Sequence, residues 1–266
     1  MVLLLLVELD PALTALRPLG GFFVLRTVVD GPRDPAGPLP TLAQTYDGTT
    51  SDVRPGALDF PESLDLLDSP GFPDPLDLRV RKVATALRAP QPRIAASVAH
   101  LGLAARLWSA ALGCAALYGR IPDLAPRLLR WDADAGAPDD LWLTEVRPLP
   151  GDAATLVDVV LHGHLEPLAA ALRARHRLPE GLLWGNAASA LAGAARELDR
   201  WARAHGRTDT AARARALTDG LFAHPLLRDS GTLTGTAFRR RSCCLYYRVP
   251  GGGVCGDCCF TRAPTA

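Results

Sequence analysis

The spacing of apolar residues along the chain predicts a mainly helical protein. After Pro92, one helical face carries apolar side chains at steps of three and four, at Val98, Leu101, Ala105, Trp108 and Leu112. Further leucines lie on the opposite side, so this helix is predicted to be buried over most of its surface. Gly119 and Pro122 are typical of the residues that end a helix.

Three more helical segments follow on the same grounds. They cover residues 156–176, 179–206 and 209–223. In the first of them, Gly163 and Pro167 predict a kink or a break, because Pro167 has no N–H to offer to the carbonyl of Gly163.

Strands are predicted to be few and short. Residues 22–29 and 141–146 have strand-like patterns, whereas the Pro-rich stretches 32–40 and 55–75 and the Gly/Thr-rich stretch 231–235 are typical of loops. The predicted fold class is therefore mainly α: a helical bundle-like body with a few short N-terminal and central strands and an irregular C-terminal segment.

Composition and charge narrow the function classes. The 266 residues are 48% hydrophobic and 21% charged, which is typical of a globular protein. The net charge of +1 removes the main electrostatic argument for a nucleic-acid partner or an anionic membrane. The apolar run 1–8 is too short for a signal peptide and lacks its basic flank, so it is interpreted as a buried strand or first helical turn.

The longest apolar stretch, 94–118, is interrupted by His100 and Arg106. It is therefore a weak candidate for a membrane span and a good one for a buried helix. We expect a cytoplasmic protein with no stable membrane insertion and no nucleic-acid partner.

The cysteines carry the clearest chemical signal. Five of the six lie within 17 residues, at Cys243, Cys244, Cys255, Cys258 and Cys259, while Cys114 stands alone in an apolar helical stretch. A disulfide framework would be spread over the fold, whereas such a dense group in an intracellular chain indicates a metal site. Thiolates suit both zinc and iron–sulfur clusters.

The adjacent pair Cys243 and Cys244 favours an iron–sulfur cluster over zinc. Neighbouring side chains of an extended segment point apart, which is awkward for one zinc ion but suits a larger two-iron cluster. A structural zinc site and redox-active thiols remain open as alternatives. The three glycines at 251–253 permit a tight return of the chain and allow backbone N–H groups to approach sulfur.

Arg239, Arg240 and Arg241 precede the cysteines. Their positive charge would favour the reduced form of an anionic cluster and would also receive an anionic substrate. The alternative is that they are exposed arginines that flank a loop.

The segment from Phe238 through Cys258 resembles the C-terminal signature of the FhuF-type ferric-siderophore reductases: Cys-Cys, ten residues, Cys, two residues, Cys. The segments 164–167 and 183–186 are similar to the family as well. The resemblance implies a [2Fe–2S] cluster held by Cys243, Cys244, Cys255 and Cys258. Cys259 departs from the pattern, and two alternatives are open for it: it competes with Cys258, or it lies nearby as a spare thiol. We expect the four ligand sulfurs to converge with Cys259 turned away.

The same resemblance implies that the protein reduces an Fe(III)-siderophore by one-electron transfer and releases Fe(II). Its partners would be the ferric siderophore and a separate electron donor, either a protein or a small reductant, since no flavin or nicotinamide fingerprint is present. The alternative is a non-enzymatic accessory protein for siderophore or iron handling that binds an iron–sulfur cluster or structural zinc.

Three residues of the helical body are candidates for a substrate pocket besides the three arginines. His164 and Glu166 lie at the predicted kink, and Asn186 borders the apolar face of the following helix. A hydrogen-bonded core position is the alternative for His164, and a cap on the neighbouring chain is the alternative for Asn186. We predict three regions: an N-terminal α/β region with Pro-rich loops (1–75), a helical substrate-binding domain (76–230) and a cluster-binding segment (231–266).

Overall fold

The computed structural model of the chain describes residue 13 and residues 15–27, 39–47 and 74–264. The predictions for the apolar run 1–8 and for most of the Pro-rich stretches lie outside the described residues. The three-region division stays a prediction.

Helices dominate the described residues, which confirms the predicted fold class. In chain order they are α1 (Leu42–Asp47), α2 (Pro75–Leu87), α3 (Pro92–Tyr118), α4 (Ala153–Leu156), a π-helix (Val157–Leu165), α5 (Glu166–His176), α6 (Glu180–Ala204), α7 (Thr208–Phe222) and α8 (Pro225–Arg228), with 3-10 turns at Arg17–Leu19 and Tyr246–Arg248.

The strands are short and form three small sheets. They are β1 (Arg26–Thr27), β2 (Arg120–Pro122), β3 (Leu129–Trp131), β4 (Leu141–Leu143), β5 (Pro148–Pro150), β6 (Gly231–Thr234) and β7 (Ala237–Arg240). The order in the first sheet is β1-β4-β3, with β1 parallel and β3 antiparallel to β4; β2 pairs antiparallel with β5, and β6 with β7. The predicted strands at 22–29 and 141–146 are present as the shorter β1 and β4, and residues 28 and 29 lie outside the described residues.

Helix α3 forms the centre of the core and packs along α6, with α2, α7 and α5 around it. By length and composition alone α3 could cross a membrane, but 72% of its most apolar window is buried inside the protein. The two polar residues that interrupt it are buried as well. Arg106 forms an ion pair of 2.8 Å with Asp140 and donates a hydrogen bond of 2.9 Å to the carbonyl of Val24, which ties the N-terminal segment to the core. A buried charge needs such partners.

Of the kink or break predicted at Gly163 and Pro167, the break is wrong, because the chain stays helical there. In the π-helix that precedes α5, the N–H of Glu166 donates to the carbonyl of Leu161, five residues back. This extra residue per turn brings Pro167 into the first turn of α5, where a missing N–H is tolerated.

The predicted loop at 231–235 is also wrong. Residues Gly231–Thr234 pair with Ala237–Arg240 in a β-hairpin whose turn contains Gly235 at φ 61°. Threonine favours a strand, and a glycine at positive φ suits a tight hairpin turn. The hairpin packs against α6 and delivers the chain directly into the cysteine segment.

Candidate metal centre

The five C-terminal cysteines are brought together in two groups. The sulfur atoms of Cys244 and Cys255 lie 3.6 Å apart. The sulfur atoms of Cys243, Cys258 and Cys259 all lie within 4.8 Å of one another. Cys114 is buried in α3 and takes no part in either group; burial raises its pKa to about 12.

The neighbouring side chains Cys243 and Cys244 join different groups, as predicted from their adjacency. The residue that follows them, Leu245, has φ 69° in the left-handed region, which is uncommon for a leucine. This turn brings its N–H to within 3.3 Å of the Cys243 sulfur.

Backbone amides support the sulfurs on both sides of the segment. Besides the amide of Leu245, the N–H of Phe260 donates to the Cys258 sulfur at 3.4 Å. The expectation that the glycines at 251–253 allow a tight return agrees with the structure, since Gly251 has φ 71° and Gly252 N–H donates to the carbonyl of Val249 at 2.7 Å. The amides that reach sulfur belong to residues outside the glycine run.

The three arginines before the cysteines are separated by the strand geometry of β7. Side chains of a strand alternate between its two faces, so Arg240 points inward and is 2% exposed, whereas Arg239 and Arg241 are exposed. Arg239 donates to the carbonyl of Cys259 at 3.2 Å. The alternative of exposed flanking arginines therefore describes two of the three positions, but not Arg240.

Arg240 belongs to a buried polar network beneath the cysteines. Its guanidinium donates to Asn186 Oδ1 at 2.6 Å and to the carbonyl of Ser242 at 3.0 Å. Asn186 Nδ2 in turn donates to the carbonyl of Ser97 at 2.8 Å, and the Ser97 hydroxyl donates to the carbonyl of Cys244 at 2.8 Å. Asn186 thus connects α3, α6 and the cysteine segment from a fully buried position.

A second anchor holds the Cys255–Cys258 turn. The buried carboxylate of Asp257 accepts hydrogen bonds from Ser189 Oγ at 2.6 Å and Arg196 Nη1 at 3.2 Å, both from α6. The carbonyl of Asp257 accepts from the N–H of Arg240 at 2.9 Å. Ser97, Ser189, Arg196 and Asp257 were not predicted from the sequence. The one signal that could have indicated this anchor is the acidic residue inside the Cys-x-x-Cys turn.

In the pair of Cys244 and Cys255, the electrostatic environment favours negative charge on the Cys244 sulfur. The hydrogen bond between the sulfur atoms of Cys244 and Cys255 lowers the pKa of Cys244 to about 6, and the positive charge of Arg240 acts in the same direction. The same hydrogen bond raises the pKa of Cys255. Within residues 239–262 the chain carries five arginines and one carboxylate, although its net charge is only +1.

Cys259 is not turned away, in contrast to the expectation. Its sulfur belongs to the group of Cys243 and Cys258. The four predicted ligands do not converge on one point either, since Cys244 and Cys255 form their own pair.

His164 has the surroundings of a core residue, which was the alternative left open. It is fully buried, its Nδ1 lies 2.8 Å from the Tyr46 hydroxyl and its Nε2 lies 2.5 Å from the carbonyl of Leu124. Burial lowers its pKa to about 4. Glu166 is on the surface, 2.8 Å from His162 Nδ1. The structure does not bring either residue together with the cysteine network, and a role for Glu166 with substrate stays a prediction.

The sulfur arrangement fits a cluster of two metals. Two thiolates bound to one tetrahedral metal with bonds of about 2.3 Å lie roughly 3.8 Å apart, and the pair of Cys244 and Cys255 has nearly this separation. A single zinc ion would need four donors around one point. Two separate sulfur groups, each with amide or arginine support, suit a two-iron cluster.

Comparison with protein families gives two matches. A model described as ferric iron reductase FhuF-like transporter matches residues 85–233, and a model of the FhuF 2Fe-2S C-terminal domain matches residues 240–260. No curated protein matches the chain. The cysteine segment is therefore a [2Fe–2S] domain, which confirms the cofactor predicted from the sequence.

Proposed function

Since the chain belongs to the FhuF-like family of ferric iron reductases, we propose that it reduces Fe(III) bound to a siderophore and releases Fe(II) in the cytoplasm. The observation that carries the proposal is the five-cysteine segment itself, with four half-buried cysteines and one buried one, within a locally basic stretch of the chain. We propose Cys243, Cys244, Cys255 and Cys258 as the ligands of the [2Fe–2S] cluster, which supplies one electron at a time when bound.

The exposed residues of this segment suit an anionic metal chelate with an organic frame. Arg239 and Arg241 offer positive charge to solvent. Tyr246, Val254 and Phe260 are each more than a third exposed, and together they supply most of the large apolar side chains on the described surface. Guanidinium groups bind carboxylate and similar oxygen anions in a forked geometry, and the three exposed apolar side chains offer contacts to an organic frame.

The chemistry of release follows from ligand preference. A siderophore binds hard Fe(III) through oxygen atoms and holds Fe(II) far more weakly, so reduction is sufficient to free the metal. The protein then needs no general base or nucleophile, only a site for the chelate close to the thiolate-held centre. The buried network of Arg240, Asn186 and Ser97 keeps that centre fixed against α3 and α6. Electrons come from a separate protein or a small reductant.

An anaerobic iron-transfer assay tests this function. Protein purified without oxygen is expected to show visible absorption that bleaches with dithionite. After removal of excess dithionite, the reduced protein is mixed with a ferric siderophore and an Fe(II) chelator, and we expect cluster reoxidation to be matched by about one chelated Fe(II) per electron, as a one-electron donor requires.

The Cys255→Ala variant, which lacks one of the proposed ligands, is the matched control and is expected to release no Fe(II). Reoxidation without chelatable Fe(II) would favour the accessory, non-enzymatic function. A colourless zinc-containing protein would contradict the reductase proposal altogether.

A further inference from the structure

The cysteine segment has one thiol more than a four-ligand cluster uses, and the excess lies at one end only. Cys244 and Cys255 form a closed pair with sulfurs 3.6 Å apart. At the other end, Cys243 faces two candidates, Cys258 and Cys259, and all three sulfurs lie within 4.8 Å of one another. This triad, Cys243–Cys258–Cys259, is the only group of three or more potential metal-binding side chains among the described residues.

The backbone explains why two consecutive cysteines reach the same point. The N–H of Cys258 donates to the carbonyl of Cys255 at 3.0 Å, which closes a turn. The base of this turn is fixed by Asp257 to Ser189 and Arg196 of α6. After the turn, Arg239 donates to the carbonyl of Cys259 and holds the chain close to the hairpin. Cys259 therefore remains beside Cys258 instead of continuing away from the site.

Hydrogen bonds rank the two thiols. Cys258 receives an N–H from Phe260, two residues later, in the same way as Cys243 receives one from Leu245. An amide N–H directed at a sulfur stabilises the thiolate form that binds metal. The Cys258 sulfur accepts such an N–H from a following residue, as the sulfur of the proposed ligand Cys243 does. Of Cys258 and Cys259, Cys258 is therefore the usual ligand.

We infer that Cys259 is an alternative ligand, which takes the place of Cys258 beside Cys243 in holding the cluster. In the exchange, the Cys259 S–H bond breaks and its sulfur binds iron, while the bond from iron to Cys258 breaks and that sulfur takes up a proton. No electron moves and the charge of the site is unchanged. The inference rests on the proposed cluster and its ligands, but not on the identity of the substrate.

Alanine variants separate the two ends of the cluster. Iron and acid-labile sulfide per chain are measured in anaerobically purified Cys258→Ala, Cys259→Ala, the double variant and Cys255→Ala, with far-UV circular dichroism to confirm that the helical body is folded. We expect Cys259→Ala to match the wild type and Cys258→Ala to retain at least half of its cluster. The double variant and Cys255→Ala are expected to lose at least nine-tenths of it.

The electron paramagnetic resonance spectrum of the reduced cluster provides a second readout. We expect shifted g values in Cys258→Ala, since a different thiolate is bound, and unchanged values in Cys259→Ala. Cluster loss in Cys258→Ala as complete as in Cys255→Ala would overturn the inference. Full retention of cluster in the double variant would overturn it as well.

Thiol labelling keeps the test decisive if a variant is poorly loaded. In the loaded wild type, iodoacetamide is expected to modify Cys259 and to spare Cys258; in loaded Cys258→Ala, Cys259 is expected to be spared. Continued modification of Cys259 in that variant would contradict its role as a ligand.

A loaded wild-type protein that fails to reduce ferric siderophores would remove the proposed function and leave this inference standing, whereas a zinc-loaded protein would remove both.

Discussion

At the residue scale, Arg240 is the most informative charge in the structure. Its guanidinium is 2% exposed, and Nη1 has no hydrogen-bond partner. In the described part of the chain its partners are two backbone carbonyls and the amide oxygen of Asn186, so no carboxylate neutralises it. A buried charge without a counter-ion is costly. The charge of Arg240 contributes to the lowered pKa of Cys244, whose thiolate would supply the missing negative charge. The pKa of Cys259 is raised by burial, and Arg240 acts against that rise.

We therefore expect Arg240→Gln to lower the midpoint potential of the cluster. Reduction adds negative charge, which a buried cation stabilises more than an exposed one does, because solvent and salt screen the latter. The expected shift is several tens of millivolts, where about 59 mV corresponds to a tenfold change for one electron. Arg239→Gln, an exposed neighbour, is the control and is expected to shift the potential less. Mediated redox titration measures both, and equal shifts would contradict a special role for Arg240.

The amino-acid sequence indicated a role for the three arginines at 239–241 but not that one of them is buried and two are exposed. With 231–235 interpreted as a loop, nothing in the pattern distinguished Arg240 from Arg239 and Arg241. Once the hairpin is present, the period of two along β7 buries only the middle one. The density of cysteines identified the metal segment from the sequence, and the four ligands that the family resemblance implies stay a prediction. Ser97 and Asp257, in contrast, became visible only through contacts between segments that are far apart in sequence.

At the element scale, α6 is shaped to receive the end of the hairpin. Gly185 lies where Ser242 and Arg240 cross the helix, and Ser242 Oγ donates to the carbonyl of Gly181 at 2.7 Å. A Cβ atom at Gly185 would collide with Ser242 Oγ and lie 3.1 Å from Arg240 Nη2. Glycine is unfavourable in a helix interior by roughly 1 kcal/mol relative to alanine, so its presence here is explained by the close approach.

We expect Gly185→Ala to reduce cluster content while the helical signal in far-UV circular dichroism is retained. The matched control is Gly193→Ala in the same helix, where a Cβ atom would meet only Arg196 Nη2 at 3.9 Å. That change should leave cluster content intact and stabilise the helix by up to about 1 kcal/mol. Adding Ser242→Ala to Gly185→Ala should recover part of the cluster, since it removes the colliding oxygen. Equal iron content in the two glycine variants would refute the close-approach explanation.

The helices themselves were largely predictable, because apolar periodicity determines which faces can be buried. Helices α3, α6 and α7 agree with the predicted segments to within a few residues. The π-helix was not predictable from the sequence. Its backbone hydrogen bonds reach five residues back instead of four, which leaves the apolar pattern almost unchanged and accommodates the missing N–H of Pro167. The small strands β2, β3 and β5 have three residues each, too few for alternation to stand out.

At the scale of the whole molecule, two buried neutral histidines make the stability of the fold depend on pH. Burial lowers the pKa of His164 to about 4, and burial together with the charge of Arg240 lowers the pKa of His100 to about 3. Because the carbonyl of Leu124 can only accept, His164 must donate from Nε2 and accept at Nδ1 from the Tyr46 hydroxyl. A second proton on this ring would displace that donor, so His164 opposes protonation in the folded state.

The free energy of unfolding is therefore expected to decrease as the pH falls from about 6.5 to about 4. In this window the unfolded chain binds the proton at His164 and the folded chain does not, so stability rises with pH. At about 1.4 kcal/mol per pKa unit, His164 alone contributes up to about 3 kcal/mol above pH 6.5.

Chemical denaturation followed by circular dichroism should show a shallower pH dependence in His164→Gln than in the wild type. Tyr46→Phe retains the buried titrating ring but removes the hydroxyl that donates to Nδ1. It should lower stability above pH 6.5 and reduce the slope only in part, because burial still lowers the pKa of His164. An unchanged slope in His164→Gln would show that the acid sensitivity of the fold arises elsewhere, with His100 as the next residue to replace.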